Sequence, residues 1–149
     1  PDRQYRLWTA EYPIFTHEDS LLQWDGHAFL NLHYGLGAPL GYVAEKKLIK
    51  LGALTKVNQL PEQGIFLVYK KRLDGYVIEK NIGMNIAKKL KVSPKIKLLP
   101  INFIEADWYV VFSHQFQKVN PEKAKGFWDS LSSEREKLSD EQVEDYFIN

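Results

Sequence analysis

The 149-residue sequence predicts an α/β fold, a mainly parallel sheet flanked by helices. Three observations carry that expectation. Strand-like and helix-like patterns alternate through the middle of the chain as β-α-β-α-β-α-β. Units of this length imply right-handed crossovers, hence parallel neighbouring strands with helices on both faces. The composition, 44% hydrophobic with 4 Trp, 8 Tyr and 8 Phe, supplies enough apolar surface for one real core.

The N-terminal stretches "YRLWTAEYPIF" and "DSLLQW" are aromatic and β-like. "FLNLHY" (29–34) alternates apolar and polar residues, as a half-buried strand does. "PLGYVAEKKLIKLG" then places Leu40, Val43, Ala44, Leu48 and Leu51 at helical spacing, with Gly52 as the stop and Pro39 suited to the first helical position. "TKVNQL" (55–60) is a short strand candidate. In "PEQGIFLVYKKRL" the apolar run Ile65 to Tyr69 fits a strand by propensity, but the Pro-Glu-Gln opening and Lys-Lys-Arg ending favour a helix. "DGYVIE" (74–79) reads as a strand and "KIKLLPI" as another. Between them "KNIGMNIAKKLKV" sets Ile82, Ile86, Ala87 and Leu90 on one helical face. "EADWYVVFSHQF" reads as a strand running into a loop. A helix from Pro121 to about Lys137 follows, with Ala124, Phe127, Trp128 and Leu131 as its stripe, and Ser139 with Gln142 forms a capping box for a last helix.

The 20 Lys+Arg against 19 Asp+Glu leave a net charge of +1, which argues against a nucleic-acid partner. Residues 42–97 are basic and 98–149 acidic, a pattern most simply read as solvated helix faces. With no cysteine, disulfides, thiolate metal sites and cysteine nucleophiles are excluded. No apolar run reaches the roughly 18 residues of a membrane span. The opening "PDRQYRLW" lacks methionine, as expected of a piece of something longer.

The stretch "YGLGAPLGY" (34–42) poses the main chemical question. A dinucleotide turn needs G-x-G-x-x-G, whereas Gly35, Gly37 and Gly41 are one residue out of step. A phosphate-binding P-loop needs Lys-Ser or Lys-Thr after its last glycine, and Tyr42 and Val43 stand there. What remains is a strand-to-helix turn with free N–H groups around Leu36 to Leu40, a modest anion site.

Catalysis finds little footing. His17, His27, His33 and His114 show no metal-ligand spacing. Ser113 and His114, read as neighbours in a strand, point to opposite faces. Asp74 and Glu79 bracket a strand too widely for a carboxylate pair. Glu79, however, ends the strand "DGYVI", and in a parallel sheet that end shares a rim with the turn "GLGAP". One rim would then offer N–H donors and a carboxylate, the complement of a zwitterionic or amine-bearing solute. Glu79 as a first-turn acid of the next helix fits the sequence equally well.

"FLNLHYGLGAPLGY", "RLDGYVIEKNIG", "ADWYVVFSHQF" and "FWDSLSSERE" together resemble bacterial periplasmic solute-binding proteins of the polar-amino-acid type, family 3. The resemblance covers nearly the whole chain in order, through motifs that are each degenerate. It implies a type II periplasmic-binding-protein lobe. Residues 29–101 would be the complete second lobe, 1–28 the β segments of the first lobe and hinge approach, and 102–149 the return hinge strand and first-lobe helices. The N-terminal part of the first lobe, with its aromatic clamp and arginine, is absent from this scheme.

The resemblance further implies a non-catalytic function, capture of a small polar solute such as an amino acid for the membrane permease of an ABC-type uptake system in the periplasm, with no cofactor. The ligand-binding residues it implies are Tyr34, Gly35, Leu36, Gly37, Ala38, Pro39, Ile78 and Glu79, with Glu79 holding the solute's amino group. Leu36 and Ala38 depart from the Ser and Thr hydroxyls usual in that turn. A sensor domain of the same fold is the alternative; a nucleotide-dependent oxidoreductase is the alternative of another class. With first-lobe cover missing, the tail is expected either to pack back on Tyr5, Leu7, Trp8 and Tyr12 or to form a homo-oligomer by tail exchange.

Overall fold

The computed structural model describes residues 2–56 and 60–138. The capping box at Ser139 and Gln142, and the centre of the strand expected at 55–60, lie outside the described residues. In chain order the elements are β1 (Trp8–Tyr12), β2 (Ile14–His17), β3 (Gln23–Trp24), β4 (Phe29–Leu30) and β5 (Leu36–Gly37), then α1 (Val43–Lys50), α2 (Pro61–Tyr69), β6 (Gly75–Val77) and α3 (Lys80–Lys89). β7 (Ile96–Leu98), β8 (Ile104–Trp108), α4 (His114–Val119) and α5 (Pro121–Lys137) complete the series. Contacts divide the chain into a unit of residues 11–105 and a second unit made of the described residues on either side.

The larger unit is built on a four-stranded sheet in the order β5-β6-β2-β7. β5 and β6 are parallel, while β2 pairs antiparallel with both β6 and β7. β5, β6 and β7, three of the four strands of the alternating pattern, therefore run one way, as expected, and Leu54 adds a parallel bridge to Leu36. The strand between β6 and β7 is an unforeseen, reversed insertion from the N-terminal segment. This difference has a simple cause: the β-α-β pattern of residues 29–101 says nothing about a four-residue strand far away in sequence. The larger unit accordingly begins at Glu11 and takes in β2 and the β3–β4 hairpin.

Strand alternation sorts the core onto two faces. Ile14, Leu36 and Val77 join Ala44 and Leu48 of α1 and Trp24, Leu99 and Phe103 on one side. Phe15, Tyr76 and Ile78 join Ile65 and Val68 of α2 and Ala87 of α3 on the other. The apolar run Ile65 to Tyr69 is helical, because Pro61 and Gln63 organise its first turn. Leu40 and Val43 of the expected α1 stripe are exposed, since that helix begins only at Val43. In α3 the buried positions are Gly83 and Ala87 rather than Ile82, which is exposed. Burial pushes the Tyr76 phenol up to about 12.

A second difference concerns the strand expected at 29–34. Phe29 and Leu30 form β4 of the hairpin, and the sheet strand β5 is Leu36–Gly37. Asp74 sets this register: its Oδ2 accepts the N–H groups of His33 at 2.7 Å, Tyr34 at 2.5 Å and Gly35 at 2.8 Å. Its own N–H donates to Gly35 O at 3.1 Å. Gly35 has φ +90, and a Cβ there would lie 3.0 Å from Ala53 O and from Thr55 backbone atoms, so no other residue fits without strain.

In the smaller unit β1 pairs with β8. Thr9 Oγ1 donates to Asp107 Oδ1 at 2.5 Å, and Arg3 Nε lies 3.0 Å from Asp107 Oδ2. The Asp107 carboxyl is lowered by the Thr9 hydrogen bond first and then by the two arginines, Arg3 and Arg6. α5 closes on the N-terminal segment: Trp128 stacks near Tyr5, Ser132 Oγ donates to Gln4 O at 2.9 Å, and Arg135 Nη1 donates to Arg6 O at 2.6 Å. The tail thus packs on Gln4, Tyr5 and Arg6, while Tyr12 of the expected partners belongs to the other unit. Ser113 and His114 are not in a strand. Ser113 caps α4 by accepting the Phe116 N–H at 3.2 Å, and Phe112 packs among Phe116, Phe127 and Trp128.

Two substitutions test this packing. A methyl group at Gly64 would run into the Tyr76 ring, and one at Gly83 into the Phe15 ring. Gly64→Ala and Gly83→Ala should each lose about 1–3 kcal/mol in urea denaturation, the overpacking outweighing a helix-propensity gain of about 1 kcal/mol. Unchanged midpoints would show that the helices have room to move away. Asp74→Ala should leave three N–H groups without their acceptor and cost about 1–3 kcal/mol, read in the same denaturation experiment. An unaltered midpoint would mean that water replaces the carboxylate in full.

Candidate functional site

The carboxyl-terminal ends of β5 and β6 form the candidate rim. The parallel register Leu36↔Gly75 and Gly37↔Tyr76 carries Ala38 and Pro39 out of the sheet beside Ile78 and Glu79. The antiparallel register Ile14↔Val77 brings Tyr12 to the same edge as Glu79. Short-range forces fix Glu79 there. It is the N-cap of α3, 8% exposed, and its Oε2 accepts the Ile82 N–H at 2.9 Å while Asn81 Nδ2 approaches Oε1 at 3.5 Å. The first-turn role read from the sequence is therefore real, and it leaves Oε1 with only one long contact among those observed.

The expected site residues separate into two groups. Gly37, Ala38, Pro39, Ile78 and Glu79 leave the sheet at one rim, while Tyr34 and Gly35 lie at the opposite end of β5, clamped on Asp74. The expectation that 34–39 would share one rim with Glu79 holds only for its second half, because β5 itself runs through the glycine-rich stretch. Leu36 and Ile78, 0% and 6% exposed, spend their side chains on the two cores. Leu36 N–H is not free either: it donates to Ala53 O at 2.8 Å. Pro39 is not the first residue of a helix, since α1 starts four residues later. Gly41 N–H donates to Glu45 Oε2 at 2.6 Å. Of the N–H groups expected to be free around Leu36 to Leu40, that of Leu36 is therefore engaged, as are those of His33, Tyr34, Gly35 and Gly41 on either side.

Sequence reasoning missed the neighbours of Glu79. Burial first, then the neighbouring Glu79 carboxylate and the Tyr42 phenol, hold the half-buried Tyr12 phenol above its ordinary range. Beside it, Lys80 Nζ lies 3.2 Å from Glu11 Oε2, and Asn102 Nδ2 donates to Glu11 Oε1 at 3.2 Å. Tyr12 and Glu11 sit one strand register away from Glu79, a relation visible only once β2 is placed. Among the described residues no group of His, Asp and Glu is arranged to hold a metal ion. Nor is any helix long and apolar enough to cross a membrane.

Tyr34 instead lines a cavity of about 210 Å³ at the far end of β5, with His17, Asp19, Asn31, His33 and Lys71. His17 Nδ1 there accepts the Asp19 N–H at 3.1 Å, and Lys71 pairs with Asp19 at 3.1 Å. That ion pair holds the Asp19 carboxyl below its ordinary range.

No protein-family model and no curated protein sequence matches this chain. Solved structures do. The GluR0 ligand-binding core from Nostoc punctiforme in complex with L-glutamate is 14% identical with a TM-score of 0.55, over 87% of this chain and 62% of that one. Holo ArgBP from T. maritima is 14% identical with a TM-score of 0.53, over 95% of this chain and 60% of that one. The unliganded L-cystine solute receptor of Neisseria gonorrhoeae is 17% identical with a TM-score of 0.52, over 89% and 59%. The chain thus spans about three fifths of the length of these neighbours. At such identities the likeness is one of fold: the chain has the periplasmic-binding-protein-like α/β architecture found in amino-acid ABC transporter substrate-binding proteins and GluR0-type ligand-binding cores.

Proposed function

We propose that this chain captures a small polar solute, an amino acid or a related amine, for an ABC-type uptake system, and carries out no catalysis. The observation that carries the reading is Glu79, a nearly buried carboxylate at the carboxyl end of a parallel strand, with Tyr12 beside it. In open α/β sheets ligands sit beyond that end, and a buried carboxylate whose second oxygen is lightly engaged suits an ammonium group. Amino-acid-binding neighbours of the same fold support this reading.

On this reading the residues at one rim, Gly37, Ala38, Pro39, Ile78 and Glu79, form the second-lobe wall, and the smaller unit belongs to the first lobe. The chain passes between its units twice, at residues 10–11 and 105–106, which we take as the hinge. Closure and affinity would then be linked. A periplasmic location and a membrane permease partner follow from the same reading. Service as a periplasmic sensor domain is the second reading, favoured by the likeness to the GluR0 ligand-binding core.

Calorimetry with a panel of amino acids and amines tests the proposal. A saturable binder should emerge, and Glu79→Gln should weaken it at least tenfold, in keeping with the roughly 1.5–3 kcal/mol of a hydrogen bond to a charged group. The melting temperature should change little, because glutamine keeps an oxygen for the Ile82 N–H. Unchanged affinity in Glu79→Gln would remove this residue, and with it the proposed rim, from the site.

A further inference from the structure

The end of the sheet remote from Glu79 holds a polar cavity that the solute-capture reading does not use. β2 runs against β6, so the register Ile14↔Val77 and Phe15↔Tyr76 carries His17, the last residue of β2, to the end where Asp74 precedes β6. Both residues line the cavity of about 210 Å³ there, with buried Leu73 between them and β6.

Side chains brace its walls against one another. Lys71 Nζ donates to Asp19 Oδ2 at 3.1 Å, Asn31 Nδ2 donates to Leu21 O at 2.9 Å, and Asp74 Oδ2 holds the N–H groups of residues 33–35. Asn31 and Lys71, at φ +62 and +58, keep left-handed backbones that persist only where the surroundings over-determine them. A cavity fixed in this way is pre-organised for what enters it.

His17 points to an occupant. The residue is 8% exposed, and its Nδ1 accepts the Asp19 N–H at 3.1 Å, so the ring proton sits on Nε2. Nε2 has no partner among the described residues, yet it is not sealed in the protein as Trp24 Nε1 is, so it meets the open space that His17 lines. A nearly buried donor in that position calls for an acceptor from outside the chain.

The lining tells against an ion. Lys71 answers Asp19, three N–H groups answer Asp74, and no group of His, Asp and Glu among the described residues is arranged for a metal. What is left is a mixture: the His17 donor, the second carboxylate oxygens of Asp19 and Asp74, the Asn31 Oδ1 acceptor, and the exposed apolar surfaces of Leu21 and Tyr34. Hydroxyl groups both donate and accept, and a ring that carries them has C–H faces for the leucine and the tyrosine. The volume lies below the roughly 300–1,000 Å³ of pockets for larger ligands, which suits a single ring.

We propose that this cavity is a second binding site, for a neutral monosaccharide or cyclic polyol, independent of the solute rim at Glu79.

Proton NMR titration of the full chain at fixed pH tests it with D-glucose, D-galactose, D-ribose and myo-inositol. At least one should saturate at about millimolar concentration, with the His17 ring protons shifting along the same curve. Tyr34→Ala removes an exposed ring and leaves the backbone N–H on Asp74, so the fold should hold while affinity for that polyol falls severalfold. Inorganic phosphate and 1,4-diaminobutane, probes of a charged ligand, should not move the His17 signals to saturation. The proposal would be overturned by failure of all four polyols to saturate, by a polyol that leaves His17 unmoved or binds Tyr34→Ala unchanged, or by phosphate or the diamine saturating the His17 shift in their place.

Discussion

Everything in the larger unit hangs on β2, four residues inserted against the direction of their neighbours. Ile14 and Phe15 stand back to back in this strand, and each anchors one face: Ile14 meets the α1 side, Phe15 the α2 and α3 side. The strand also supplies the hydrogen-bond edge for both β6 and β7. Without it those two strands would have no common partner, and two cores would lose their shared wall. The close approach of α3 to the sheet, with Gly83 over the Phe15 ring, is a direct consequence of what β2 carries.

The same insertion makes the candidate site. Glu11 and Tyr12, the last residues of β1, lead through Pro13 into β2, and its antiparallel register delivers Tyr12 to the edge where Glu79 follows β6. Glu79 contributes in two ways at once, holding the first turn of α3 and presenting charge at the rim. α1 copies the device with Glu45 and the Gly41 N–H. The two helices thus begin under carboxylates of the chain itself, and the rim takes its electrostatic character from the manner in which its helices start.

The helices were legible in the sequence because their signals are local. The spacing of Ala44 and Leu48, the Pro-Glu-Gln opening of α2 and the Gly52 stop need no distant partner to be read. The β strands are another matter. β5 is two residues long, and its register is set by Asp74, some forty positions away, so "FLNLHY" could only be misread as the strand. The Glu79 half of the site was legible because a strand end and a helix start coincide there. The Tyr12 half was not, since only the long-range pairing of β2 with β6 reveals it. α4 escaped notice for a local reason: the run "YVVF" has strand propensity, and the Ser113 cap that starts the helix is a single side-chain contact.

The reversed strand also has a kinetic meaning. β2 pairs with residues 76–77 and 96–98, so its contacts close loops of some sixty and eighty residues. Such closures are entropically slow and reward the chain only when complete. During synthesis from the N-terminus, Ile14 and Phe15 must wait until α3 and β7 have emerged. Until then α1 and α2, eight and nine residues long, are too short to persist as isolated helices and have no shared surface on which to condense. Folding of this unit is therefore a late event in its own translation, and the apolar strand that organises the finished sheet is, for that interval, the segment most in need of shielding from other chains.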